Sequence, residues 1–173
     1  MKDVHAETDR LIIRPWKPDE CEWYVEHVDD KILRWTNEPE YVDPETWEAA
    51  RLAQESSDEV RRSAITRRDD GTLLGNIGVR RNAASMEIFY WVGSEHRGHG
   101  VATEALVALS LATEEDYGLP LELRIGPNNF VSRNVAEKAG YRFAGYRDSC
   151  ENCADEKGRV AVYRRLAPPP STI

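Results

Sequence analysis

The sequence predicts an α+β fold in which helices pack on one mixed sheet of about seven strands. Two observations predict it. The order of local signals is one strand, two helices, three strands, a helix, a strand, a helix and two strands, with no internal repeat or linker. The most convincing strand, Met86–Val92 (M-E-I-F-Y-W-V), runs through a glycine-rich turn into the longest helical stretch.

Each element has its own signal. Residues 8–14 (T-D-R-L-I-I-R) are β-rich and stop at Pro15, which gives a first strand. Pro18-Asp19-Glu20 opens a helical stretch whose Cys21, Tyr24, Val25 and Val28 form an apolar stripe. A second helix takes Asp43 as N-cap and Pro44 as its first residue, and runs to about Glu55. Residues 63–68 and 72–80 flank Asp69-Asp70-Gly71, a hairpin turn signal. From Gly98 to about Asp116, Val101, Ala105, Leu109 and Ala112 share one helical face, and Gly118 stands where such a helix ends. Leu121–Ile125 is the next strand, and residues 129–139 form a helix stopped by Gly140. Residues 141–146 and 159–166 make two closing strands around a polar connection at 150–158. Pro168-Pro169-Pro170 cannot extend a sheet, so residues 1–173 read as one domain with 168–173 as a flexible tail.

Composition removes several classes of function. Hydrophobic residues make up 40% and charged residues 31%, which suits a globular chain rather than a disordered or membrane-spanning one. No apolar run approaches the roughly 18 residues of a spanning helix, and Met1-Lys2-Asp3-Val4-His5 has no apolar leader region, so the expected compartment is the cytoplasm. Net charge is −8, unevenly spread: residues 1–60 hold 17 acids and 7 bases, leaving 14 acids and 16 bases for the rest. An acidic first third would attract a cationic acceptor, or it simply coats solvated helix faces. Broad contact with nucleic acid is not expected, because it needs a concentrated basic surface. Cys150 and Cys153 have C-x-x-C spacing, but with Cys21 the count is odd and no second ligand pair follows, so they read as part of a polar loop and no metal is expected.

The chemistry concentrates in Arg97-Gly98-His99-Gly100-Val101-Ala102-Thr103, between the best strand and the longest helix. Glycines there permit unusual backbone conformations and close ligand approach, and the helix start offers unpaired N–H groups and a positive dipole end. Together they make an anion site suited to a pyrophosphate. No Gly-Lys-Ser/Thr follows, and the G-x-G-x-x-G spacing fails, so neither a P-loop nor a dinucleotide fingerprint is present.

The segment from Arg97 to Ala102 resembles the R/Q-x-x-G-x-G/A signature of the GNAT superfamily of acyltransferases. Residues 8–15, Ile88-Phe89-Tyr90-Trp91-Val92, Ala102-Thr103-Glu104-Ala105-Leu106, Asn129-Phe130-Val131-Ser132 and Val135-Ala136-Glu137-Lys138-Ala139-Gly140-Tyr141 resemble, in order, segments of its Rim-type branch of ribosomal-protein N-terminal acetyltransferases. The resemblance implies a mostly antiparallel sheet between helix layers and acetyl-coenzyme A as donor. Main-chain amides of Arg97, Gly98, His99, Gly100, Val101, Ala102 and Thr103 would hold the pyrophosphate. The pantetheine arm would lie along the strand ending at Val92, with Asn129 binding it and Ser132 near the sulfur. From the residues alone, Asn129 reads equally as a helix N-cap and Ser132 as a solvated hydroxyl.

Acetyl transfer to an amine also needs a base. Glu87 is the candidate, because it begins the cofactor strand and alternates with Phe89 and Trp91, a face apolar enough to favour a proton acceptor; the plainer reading is an exposed acid. Three positions depart from the family pattern. Ala136 stands where many members carry a tyrosine acid, Asn134 where the branch often has an arginine, and Arg159 where it tends to have an aspartate. Ser132 is then the remaining candidate for protonating the sulfur. A protein amino terminus is the first expected acceptor and a small cationic amine the second; a non-catalytic acyl-coenzyme A-binding module is the alternative of another class. Trp35 and Trp47 are candidates for lining the acceptor site, and a homodimer is possible.

Overall fold

The structure, a computed structural model, describes residues 1–36, 38, 40, 43–149 and 153–165. Among these residues eight strands form one sheet: Ala6–Glu7 (β1), Leu11–Pro15 (β2), Val60–Arg67 (β3), Leu73–Arg81 (β4), Met86–Val92 (β5), Leu121–Ile125 (β6), Arg142–Asp148 (β7) and Arg159–Arg165 (β8). Their spatial order is β1-β2-β3-β4-β5-β6-β8-β7, and every neighbouring pair is antiparallel except β5 and β6. The mixed, mostly antiparallel α+β sheet is as expected. The eighth strand lies ahead of the first β-rich run: Thr8 N–H donates to the Leu11 carbonyl at 2.9 Å, a tight turn that folds Ala6–Glu7 back onto β2.

Among the described residues five α-helices flank the sheet: Cys21–His27 (α1), Asp30–Trp35 (α2), Pro44–Ser56 (α3), Val101–Tyr117 (α4) and Phe130–Lys138 (α5). The sequence signals mark α1 and α3 but give no separate helix at Asp30–Trp35. Asp29 separates α2 from α1 by accepting a hydrogen bond from Ile32 N–H, an N-cap worth about 1 kcal/mol. Asp43 caps α3 through Thr46 N–H at 2.7 Å, with Pro44 first in the helix. Gly118 ends α4 in the left-handed region at φ 61°, where a Cβ would be strained. No helix among the described residues is long and apolar enough to cross a membrane.

Strand alternation separates two packing layers. Ile65, Ile77, Val79, Met86, Ile88, Leu123 and Tyr163 turn to one face and pack with Ala105, Leu106 and Leu109 of α4 and Ala136 of α5. Ala64 and Trp91 turn to the other face and join an aromatic cluster of Trp16, Tyr24 and Trp47 under α1 and α3. Trp47 is 1% exposed, so it is core and not part of an acceptor site; burying such a ring contributes about 3 kcal/mol. The helices of this second layer pack over Ala64 of β3 and Trp91 of β5, whereas Arg142, Arg147 and Arg164 of β7 and β8 stay exposed, and that asymmetry positions the site.

Candidate active site

Strands β5 and β6 run side by side for only two residue pairs, Met86↔Leu121 and Glu87↔Glu122, and then part. Met86 N–H donates to the Pro120 carbonyl on the β6 side, whereas Gly93 N–H donates to Leu74 on the β4 side. By alternation along an unbroken register, the main-chain groups of Ile88, Tyr90 and Val92 face the gap. A cleft of about 490 Å³ occupies it.

At one end of the cleft lie Arg97, Gly98, Gly100, Val101, Ala102 and Thr103. Gly98 and Gly100 sit at φ +82° and +80°, which side chains rarely adopt, and Gly100 occupies the N-cap position of α4. The first intrahelical bond runs from Glu104 N–H to the Gly100 carbonyl, so the N–H groups of Val101, Ala102 and Thr103 have no helical acceptor. A Cβ built on Gly98 meets nothing within 4 Å. Open space, outward N–H groups and a helix dipole fit a pyrophosphate. The Arg97 side chain instead donates from Nε to the Val92 carbonyl at 2.8 Å and pairs with Asp29 at 2.8 Å, bracing the loop against β5 and α2. Of the loop residues expected at the cofactor, His99 does not line this cleft. It lies on a separate hollow with Arg10, Arg67 and Arg68, and its carbonyl accepts from Arg10.

Asn129 and Ser132 line the middle of the cleft. Asn129 is the N-cap of α5, accepting from Ser132 N–H at 3.1 Å, so the plain reading of its side-chain oxygen holds. Ser132 is not simply solvated. Its Oγ lies 2.8 Å from the Tyr90 hydroxyl, which reaches it from β5. Burial pushes the Tyr90 pKa up to about 12, so this hydroxyl keeps its proton throughout the physiological range. Sequence reasoning missed Tyr90, since its partner is 42 residues away and only strand parity shows that it faces the gap.

Beyond the seam is a charged end. Glu87 is buried, but its face is not apolar: Arg80 lies 3.3 Å from one oxygen and Arg124 3.5 Å from the other. The reason is register, because Arg80 sits directly opposite Glu87 on β4. Glu38, also missed, is 5% exposed and ion-pairs with Arg62 at 2.5 Å, while its Oε2 has no hydrogen-bond partner among the described residues. No local pattern marks it, because its role depends on Arg62 arriving from β3. The Phe89 ring forms the floor, with the Arg62 and Arg80 guanidinium groups 5.0 and 5.4 Å from its centroid. Gly78 makes room for that ring, since a Cβ there would meet Phe89 Cζ at 2.5 Å. Trp35, Lys31 and Thr36 of the α2 region close the wall, and buried Cys153 also lines the cleft. Cys150 lies outside the described residues, and among the described residues no His, Cys, Asp and Glu cluster could hold a metal ion.

The acetyltransferase (GNAT) domain model matches residues 10–142 of this chain. No curated protein matches it. Solved structures with the same fold include a GNAT-family acetyltransferase from Bacillus anthracis, with a TM-score of 0.80 at 20% identity, covering 95% of this chain and 99% of that one. The ribosomal-protein-S5-alanine acetyltransferase of Vibrio fischeri gives 0.76 at 16% identity, covering 95% and 97%. RimJ of Mycobacterium smegmatis, solved with a coenzyme A disulfide, gives 0.76 at 19%, covering 95% and 87%. With its parted strands, its glycine loop and a family model spanning most of its length, the chain belongs to the GNAT acetyltransferase family and is an acyltransferase.

Proposed function

We propose that this enzyme transfers an acetyl group from acetyl-coenzyme A to the α-amine of a polypeptide. The observation that carries the reading is the seam between β5 and β6, which joins an anion-binding loop to an open, charged sheet face through the Tyr90–Ser132 pair. Bound acetyl-coenzyme A would supply the acyl group as an activated thioester. The chain's own residues would supply the rest. Amides of the loop and of Val101, Ala102 and Thr103 hold the phosphates, and Asn129 lies along the arm. The N–H groups of Tyr90 and Val92 face the gap and are placed to polarise a carbonyl there. The Tyr90–Ser132 pair holds a proton for a departing sulfur. At the far end Glu38 Oε2 accepts a hydrogen bond from the incoming amine, and Glu87 is the second carboxylate through which its proton can leave.

The lining at this end weighs against a small polycation. Lys31, Arg62, Arg80 and Arg124 stand there with Glu38 and Glu87, and no other described acid of the first third reaches the cleft. A protein acceptor is also what the names of the Vibrio fischeri enzyme and similar structures suggest.

Calorimetry of acetyl-coenzyme A with wild type and Gly98→Trp tests the first half. Micromolar binding that the variant loses supports the loop assignment, and no binding to wild type at millimolar ligand overturns it. Thiol release with peptides, polyamines and aminoglycosides then tests the acceptor.

A further inference from the structure

The open half of the sheet carries a row of arginines that the transfer chemistry does not use. Because directly paired residues share a face, Arg80 on β4, Glu87 on β5, Glu122 on β6, Arg164 on β8 and Arg142 on β7 form one line across five neighbouring strands. Arg147 joins it from β7, reaching Glu122 at 2.9 Å, and Arg164 reaches the same carboxylate at 3.4 Å. Glu122 is 2% exposed, whereas the Arg147 and Arg164 side chains are 43% and 50% exposed. Arg147 keeps its Nε–H and Arg164 its Nη1–H groups without an acceptor among the described residues. Arg142 and Arg164 face each other in an antiparallel pair, where like charges are unfavourable. Pairing with buried Glu122 accounts for part of the Arg147 and Arg164 donor sets, but Arg142 has no acidic partner among the described residues, in a chain whose net charge is −8.

We propose that this row recognises an acidic acceptor: a polypeptide whose first five or six residues after the reacting amine carry aspartate or glutamate. The proposal rests on the reading of the enzyme as a polypeptide α-amine acetyltransferase and adds the class of polypeptide. The row begins at Arg80 and Glu87, which line the cleft, and continues past its rim to Arg164 and Arg142. Four strand spacings of about 4.8 Å make roughly 19 Å, the length of five or six extended residues at about 3.4 Å each. Guanidinium groups with spare donors take carboxylates in a fork, so each arginine beyond the rim suits one acidic side chain. Several acids around α1–α3 are already paired: Glu20 with Arg14, Glu48 and Glu55 with Arg51, and Asp29 with Arg97.

The test is kcat/KM by thiol release for hexapeptides that share their first residue and carry Asp/Glu, Asn/Gln or Lys at the following positions. The acidic set should exceed the amide set by about tenfold at low ionic strength, with the gap closing in high salt, because rim charges act through screened attraction. The Arg147→Gln/Arg164→Gln enzyme should bring the acidic-to-amide ratio close to one. Equal turnover of acidic and amide peptides by wild type overturns the proposal and leaves the polypeptide reading intact. A preference that survives high salt, or survives in a folded double variant, also overturns it. Acetylation of polyamines with no peptide turned over removes the underlying reading and the proposal with it. The wild-type salt series decides the matter even if the double variant does not fold.

Discussion

The two ends of the cleft are built from different materials. The loop end is main chain: two glycines at positive φ, a helix start without a side-chain cap, and strand amides turned into a gap. The acceptor end is side chain: Glu38 from the connection after α2, Arg62 from β3, Arg80 from β4, Glu87 and Phe89 from β5 and Arg124 from β6. A site made of backbone needs a particular local conformation, and local conformation leaves a mark in a few adjacent residues. A site made of side chains from distant segments leaves none, because each member alone is an ordinary arginine or glutamate.

Breaking the loop end should have the largest effect. Gly98→Trp forces a non-glycine residue to φ +82° and fills the space before the loop. Losing two charge-assisted bonds at about 1.5–3 kcal/mol each lowers coenzyme affinity by at least about 100-fold. Calorimetry checks it, with circular dichroism to confirm the fold. Next come Tyr90→Phe and Ser132→Ala at the seam, each expected to lower kcat about 100-fold, the low end of what a positioned proton donor supplies, while coenzyme affinity stays near wild type. An unchanged kcat in both would remove the hydroxyl pair from the mechanism. At the acceptor end, Glu38→Gln should raise the acceptor KM roughly tenfold through one charged hydrogen bond, again with little change in coenzyme affinity. If Glu87→Gln has the larger effect instead, the two carboxylates exchange roles.

The smallest effect is on stability, and it tests how far the seam excludes water. Tyr90 titrates near 12 when folded against about 10 when unfolded, so its contribution is complete below pH 10 and is lost as pH rises towards 12. Burial pushes Tyr24 and Tyr141 the same way. Urea midpoints should therefore fall from pH 9 to pH 11. Tyr90→Phe should remove about 1 kcal/mol of that fall, and a pH-independent difference between variant and wild type would argue for a wet seam.

The same contrast explains how far the sequence alone could lead. β5 and β6 appear with the bounds the residues suggest, and α4 follows its glycine loop, because patterning, turn chemistry and capping agree there. α2 is not legible in the sequence, because its six residues carry too little periodicity and its one start signal is the Asp29 cap. Glu87 was readable as an acid on the cofactor strand. Its arginine neighbours were not, since Arg80 meets it through a hairpin register and Arg124 through a parallel pairing to residues 35 positions downstream. Trp35 and Trp47 looked alike in sequence; packing puts one on the cleft wall and the other at 1% exposure beneath α1.

The parting of β5 and β6 has a mechanical consequence. Two residue pairs join the five strands on one side to the three on the other, so the sheet is two panels on a short hinge, with α4 and α5 as backing. A ligand that bonds to both strand edges acts as a splint. Amide exchange at Ile88, Tyr90 and Val92 should slow when it binds, and the melting temperature should climb with its concentration, by about 2.7 kcal/mol of stability at 100 times its Kd. Loss of the ligand would release the panels, leaving an enzyme whose resting sheet is looser than its working one.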